Sequence, residues 1–211
     1  MLLFKQDKTA FQGKRLLKSD LKEYLKLEYG VKDYMPVSDR KITFTPLLQR
    51  NFGDKSDNDC TITSITAIWK HFFSNMDAKD IYTTASFIAK KYFYNPIKYG
   101  TIPLFIDNIC NDMLSHIKIP AKRWYAKYGK DIEFEFSDIQ EMINQDKPLI
   151  LNITNDGRGF YLSHSVVVIG YYVCKKDNKE YKFLQIYDNW SSLISFVDYD
   201  KLNKLCSINH F

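Results

Sequence analysis

The sequence predicts an α+β chain, with a helical N-terminal lobe followed by an antiparallel β-sheet C-terminal lobe. Two observations carry that prediction. Through roughly the first 120 residues the apolar positions recur at helical spacing, and over roughly the last 80 they collect into short strand-like runs. Helices and strands that segregate along the chain argue against a wound parallel sheet, in which the two would alternate.

The elements follow in order. Residues 14–29 place Leu16, Leu17, Leu21, Tyr24, Leu25 and Glu28 on one stripe, its apolar character fading at the end, with Lys14, Lys18, Lys22 and Lys26 on another, and Gly30 is a natural stop. This predicts an amphipathic helix within an N-terminal extension, residues 1–35, that precedes a main domain of 36–211. Such a stripe usually packs on a core; an inhibitory prosegment and a membrane-surface helix are the alternatives. Residues 36–46 are extended and polar, and 51–59 form a loop by composition. Helices are predicted over 61–73, over 78–94 up to the Asn95-Pro96 break, and over 103–117. The alternation in 131–136 predicts a strand. Residues 137–144 predict a short helix with Ser137 and Gln140 at capping-box spacing. Strands are predicted at 149–154, 164–173, 181–187 and 193–198, with 175–180 as a polar hairpin connection.

Composition narrows the function. With 211 residues and 45% hydrophobic content, the chain can bury one sizeable core or two lobes sharing an interface. The net charge of +5 is dispersed, with no basic run that would point to nucleic acid. The four cysteines, Cys60, Cys110, Cys174 and Cys206, form no CxxC and no dense disulfide framework, so they read as reduced. The apolar piece Met1 to Phe4 is too short for a signal-peptide core, and no stretch approaches a membrane span. Cytoplasmic is therefore the default expectation, with secretion by another route left open. His71, His116, His164 and His210 show no metal-ligand spacing, and neither metal nor cofactor is expected.

The chemistry is concentrated in three fragments. His164 stands at the mouth of the apolar run Val166 to Ile169, where an imidazole needs hydrogen-bonding partners. Cys60 follows Asp57, Asn58 and Asp59, all good N-cap types, and lies in the first turn of a predicted helix. The helix macrodipole and free N–H groups there favour a thiolate and an oxyanion. Asp188 ends the run FLQIY, ahead of Asn189 and Trp190, where an acid can fix the tautomer of a histidine. Each fragment also has a bland reading: a buried cysteine, a structural histidine, an Asp-Asn turn.

In their order and local context, DCTITSITAIW, DKPLILNIT, SHSVVVIGYY and FLQIYDNWS resemble the papain-like cysteine peptidases. The nearer likeness is to the bacterial branch of bacteriocin-leader-processing peptidases and their stand-alone relatives. It spans residues 47–197 and is strongest after Lys147. The resemblance implies a two-lobed papain-like fold and a peptide or protein substrate. It implies Cys60 as nucleophile, His164 as general base and then acid, and Asp188 as the residue that orients His164, with Asn189 as the alternative. Two positions depart from the pattern. Thr61 stands where a glycine is common after the cysteine. Asp54 stands where the oxyanion glutamine is common, which leaves Gln49, eleven residues upstream of Cys60, or Asn58 as the donor. The implied reaction is thioester-forming amide hydrolysis; the rivals are a transglutaminase-like acyltransferase, a non-catalytic peptide-binding module on the same fold, and a toxin or effector acting inside a host cell.

Overall fold

A computed structural model describes residues 10–52, 58–118 and 124–211. The apolar start Met1 to Phe4, the N-cap candidate Asp57 and the departure at Asp54 lie outside the described residues.

In chain order the regular elements are α1 (Leu21–Tyr29), β1 (Met35–Lys41), α2 (Cys60–Phe72), α3 (Ala78–Ala89), α4 (Ile106–His116), β2 (Tyr125–Tyr128), α5 (Phe136–Asn144), β3 (Leu149–Asn155), β4 (Leu162–Lys176), β5 (Lys179–Tyr187), β6 (Ser195–Asp198) and β7 (Ser207–His210). The strands make one antiparallel sheet in the order β2-β7-β3-β4-β5-β6, with β1 also paired to β4. The fold is therefore α+β, three helices of a helical layer preceding most of the sheet. No helix among the described residues is long and apolar enough to cross a membrane.

β4 is the spine of the sheet, and its sequence follows from being covered on both faces. Val166 and Val168 pack with Leu149, Leu151, Phe134 and Ile139. Val167 and Ile169 share a second core with Ile62, Ile65 and Trp69 of α2, Ile81 and Ala85 of α3, and Ile109 and Met113 of α4. Successive side chains of a strand point to opposite faces, so a strand buried on both reads as an unbroken apolar run. Gly170 ends that run because β1 passes too close for a side chain: a Cβ there would lie 2.4 Å from the carbonyl oxygen of Arg40.

The N-terminal segment differs from the expected helix over 14–29. Its first part is extended, a single 3-10 turn covers Lys18–Asp20, and α1 begins only at Leu21. The physical reason is a competing set of partners. The N–H of Phe196 in β6 donates to Leu16 O at 2.8 Å, and Arg158 donates to Lys14 O at 3.0 Å. α1 then ends at Gly30, which takes φ 73° as a left-handed cap. Leu16, Leu21, Tyr24 and Leu25 form a third core with Tyr172, Phe183 and Phe196, so the amphipathic stripe packs on the sheet.

The strand expected over 131–136 is absent. Asp131 adopts φ 60°, residues 131–133 turn, and Phe136 opens α5. Both phenylalanines still reach the core, Phe134 and Phe136 being buried, so the alternation was a core signal misassigned to a strand. The helix start also uses other residues than Ser137 and Gln140: the carboxylate of Asp138 accepts the N–H of Glu135 at 2.6 Å. β2 and β7 have no counterpart in the predicted strands. β7 carries Ser207 and Asn209 on buried positions, and such polar residues erase the apolar signature of a strand.

Candidate active site

α2 is buried almost all round, from Thr61 to Trp69, and its first residue is Cys60. Asp59 precedes it and is itself buried. The phenol of Tyr82 donates to one carboxylate oxygen of Asp59 at 2.5 Å, and the phenol of Tyr94 donates to the other. The first turn of α2 is thereby anchored to α3. Cys60 is only partly buried and opens on a cleft of about 750 Å³. Residues 99–103 line that cleft together with Ile153, Leu162, His164 and Trp190. Gly100 is required there, because it takes φ 69° and a Cβ would lie 2.5 Å from the carbonyl oxygen of Asn58.

His164 lines the same cleft as Cys60, close enough for its imidazole to lower the thiol pKa. Its Nε2 lies 2.8 Å from the main-chain oxygen of Asp188, which leaves Nδ1 for the thiol. The imidazole is buried between aromatic rings: Trp190 stacks on it with centroids 4.0 Å apart, and Tyr161 lies parallel at 5.7 Å. Burial pushes the Cys60 thiol up. The hydrogen-bonding and electrostatic pull of His164 and the backbone N–H of Ser165 outweigh that effect and hold the thiol below its ordinary value.

The carboxylate of Asp188 does not point at His164. It is fully buried, and its Oδ2 accepts from Arg15 Nε at 2.8 Å, Arg15 Nη2 at 2.6 Å and the hydroxyl of Tyr161 at 3.0 Å. Its Oδ1 accepts from the N–H groups of Trp190 and Ser191, both at 3.1 Å. The side chain thus closes the loop 188–191, while the main chain meets the histidine. Asn189 turns the chain with φ 63° and sends its amide toward α2, donating to Cys60 O at 3.0 Å, Ser64 Oγ at 2.8 Å and Ser165 O at 3.1 Å. It therefore clamps the helical layer to β4 rather than facing the imidazole.

Thr61, the departure from glycine, has a structural use. Its hydroxyl lies 2.8 Å from Ser165 Oγ, which donates to Asn152 Oδ1 at 2.7 Å. Asn152 Nδ2 donates to Ser207 Oγ at 3.0 Å and Asn209 Oδ1 at 2.9 Å. A buried polar chain therefore runs from the start of α2 across β4, β3 and β7. Of the two oxyanion candidates, Asn58 lines the cleft and donates Nδ2 to Pro96 O at 3.0 Å. Gln49 sits beside Asn189, its N–H donating to Asn189 O at 2.9 Å, and is not among the lining residues of the cleft.

Sequence reasoning missed Arg15 and Tyr161. Tyr161 lies three residues before His164 and was within reach of the motif; nothing in the sequence near Arg15 points 173 positions downstream to Asp188. The other cysteines, Cys110, Cys174 and Cys206, are free and buried, and burial raises the thiols of Cys110 and Cys174. No three His, Cys, Asp or Glu side chains among the described residues converge to hold a metal ion.

The model of the Peptidase_C39 like family matches residues 41–202. No curated protein matches the chain.

Proposed function

The chain belongs to the Peptidase_C39 like family, and on that premise we propose that it hydrolyses a peptide or amide bond with Cys60 as nucleophile, His164 as acid–base and Asp188 as the residue that orients His164. The observation that carries the reading is that Cys60, at the start of α2, and His164 of β4 line one cleft, where the imidazole holds the thiol below its ordinary value. The thiolate attacks the substrate carbonyl carbon, forming a C–S bond. The resulting oxyanion is met by the N–H of Cys60, which at the first helical position has no intrahelical acceptor, together with Gln49 or Asn58. The imidazolium gives its proton to the leaving amine as the C–N bond breaks, and a thioester remains. Water, deprotonated by His164, attacks the thioester and regenerates the thiol. Asp188 acts through its main-chain oxygen, which accepts from Nε2 and fixes the ring so that Nδ1 faces sulfur.

The cleft supports a neutral, apolar substrate segment. Among the described residues the cleft lining holds no Asp, Glu, Lys or Arg, and Tyr99, Leu162 and Trp190 present exposed apolar surface.

The test is alkylation of Cys60 by iodoacetamide against pH, read cysteine by cysteine by mass spectrometry, beside turnover of a mixed peptide library. Reaction well below the ordinary thiol range of about 8.5, lost in His164→Ala, together with Cys60-dependent cleavage, is the expected result. An ordinary titration without cleavage sinks the reading and leaves a peptide-binding module. Product formed only when an amine is added identifies an acyltransferase.

A further inference from the structure

We propose that Arg15 is a positioning residue of this site: its guanidinium grips the buried carboxylate of Asp188 and thereby sets the loop that offers the Asp188 carbonyl and the Trp190 ring to His164. The inference rests on the reading of Cys60 and His164 as the reacting pair, and it adds a residue that lies outside the 41–202 span matched by the family.

The arrangement has three parts. First, Arg15 is held in place on both sides. Gly13 N–H donates to Arg158 O at 2.8 Å, Lys14 O accepts from Arg158, Leu16 O accepts from Phe196, and the Leu16 side chain is fully buried. The guanidinium also lies 5.8 Å over the ring of Phe160, which in turn meets Trp190 edge-on at 6.0 Å. The arm is thus a fixed part of the sheet lobe.

Second, the carboxylate needs a cation. Asp188 is 0% exposed, and among the described residues Arg15, at 24%, is the cation that pairs with it; a buried carboxylate without a partner is strongly disfavoured. Tyr161 supplies a hydroxyl and the loop supplies two N–H groups, none of which carries charge. His164 meets the carbonyl of Asp188 rather than its carboxylate, so it does not replace Arg15.

Third, the loop transmits the grip. The carboxylate holds the N–H groups of Trp190 and Ser191, which fixes the turn; the same turn aims Asp188 O at Nε2 and lays Trp190 on the imidazole. A shift of that carbonyl or ring moves Nδ1 relative to sulfur. Among the described residues, neither Arg15 nor any other residue of the N-terminal arm lines the cleft. Its charge therefore reaches the site through Asp188, while its stem over Phe160 is an apolar contact that methionine keeps.

The experiment is the pH profile of Cys60 alkylation by iodoacetamide in the full chain, for wild type, Arg15→Met, Arg15→Lys, Asp188→Asn and the double variant Arg15→Met/Asp188→Asn. Methionine keeps an apolar stem over Phe160 but no charge; lysine keeps the charge but not the planar fork. In Arg15→Met the apparent pKa of Cys60 rises by about one unit, and its rate at lower pH falls roughly tenfold, with Arg15→Lys between it and wild type. Asparagine retains the turn acceptor and the carbonyl without a buried charge, so removing Arg15 from Asp188→Asn causes no further loss. That comparison stands even if Arg15→Met alone fails to fold. A wild-type profile in Arg15→Met overturns the proposal, and so does a further drop on adding Arg15→Met to Asp188→Asn. A wild-type Cys60 that titrates as an ordinary thiol is a different result: it removes the catalytic reading itself.

Discussion

The Nε2 of His164 lies 2.8 Å from the main-chain oxygen of Asp188, while the carboxylate of the same residue is turned to Arg15 and Tyr161. One residue thus has two tasks, a carbonyl for the imidazole and a buried anion for the loop. They separate by mutation. Asp188→Ala keeps the carbonyl but leaves the Arg15 guanidinium and the Tyr161 hydroxyl without their acceptor. Because Arg15 is 24% exposed and stays partly solvated, the loss is about 1–3 kcal/mol, to be read from urea denaturation. Asp188→Asn, folded at neutral pH, slows Cys60 alkylation far less than His164→Ala does. Equal losses from the two would mean that the carboxylate itself acts on the imidazole.

Asn189 is expected to matter as a clamp. Its amide nitrogen donates to three acceptors, on Cys60, Ser64 and Ser165. Asn189→Ala removes a buried donor and destabilises by about 1–3 kcal/mol. Asn189→Asp sets a carboxylate against those same acceptors and destabilises more, although the two side chains have the same shape. Thermal melts of both variants at neutral pH give the order; alanine worse than aspartate would refute the clamp.

The lowered Cys60 thiol gives stability a definite pH dependence. In the folded protein this group binds its proton more weakly than in the unfolded chain. Its contribution is therefore present above the unfolded thiol value of about 8.5 and is lost as pH falls through the lowered folded value. The stability difference between wild type and Cys60→Ala should shift in favour of wild type from acid to alkaline pH over that window. A difference flat with pH would show that the two states hold the proton alike.

Gly170 tests the packing of β1 on β4. A methyl group there meets the Arg40 carbonyl at 2.4 Å, and main chain does not swing aside as a side-chain end would. Gly170→Ala should lose about 1–3 kcal/mol in denaturant melts, with Cys60 alkylation in the folded protein little changed, because the clash lies away from the cleft. A wild-type midpoint would mean that β1 can lift off β4 freely.

Much of this molecule was legible along the chain. Helix spacing marked α2 to α4, and the two-sided burial of β4 wrote itself as the unbroken run Val166 to Ile169. The local context of Cys60, at the start of α2, and of His164, at the mouth of β4, was visible because each stands where a regular element begins or where its apolar pattern changes. Where a polar residue was buried, the signal failed: Ser207 and Asn209 hid β7, since their partners lie on Asn152 of a neighbouring strand. In DIEFEF the alternation recorded that Phe134 and Phe136 are buried but not that a turn and a helix start bury them.

By itself the sequence determined helices α2 to α4 and strands β3 to β5, which faces are apolar, and which residue types stand ready for thiol chemistry. These are local properties, set by backbone propensity and by the period at which apolar side chains repeat. Tertiary structure alone decided that Asp188 offers His164 its carbonyl, that Asn189 clamps Cys60 to β4, and that Arg15 neutralises Asp188 from far up the chain. Hydrogen bonds and ion pairs of that kind depend on direction and distance between side chains remote in sequence. Only the folded arrangement of the sheet, α2 and the N-terminal arm fixes those quantities.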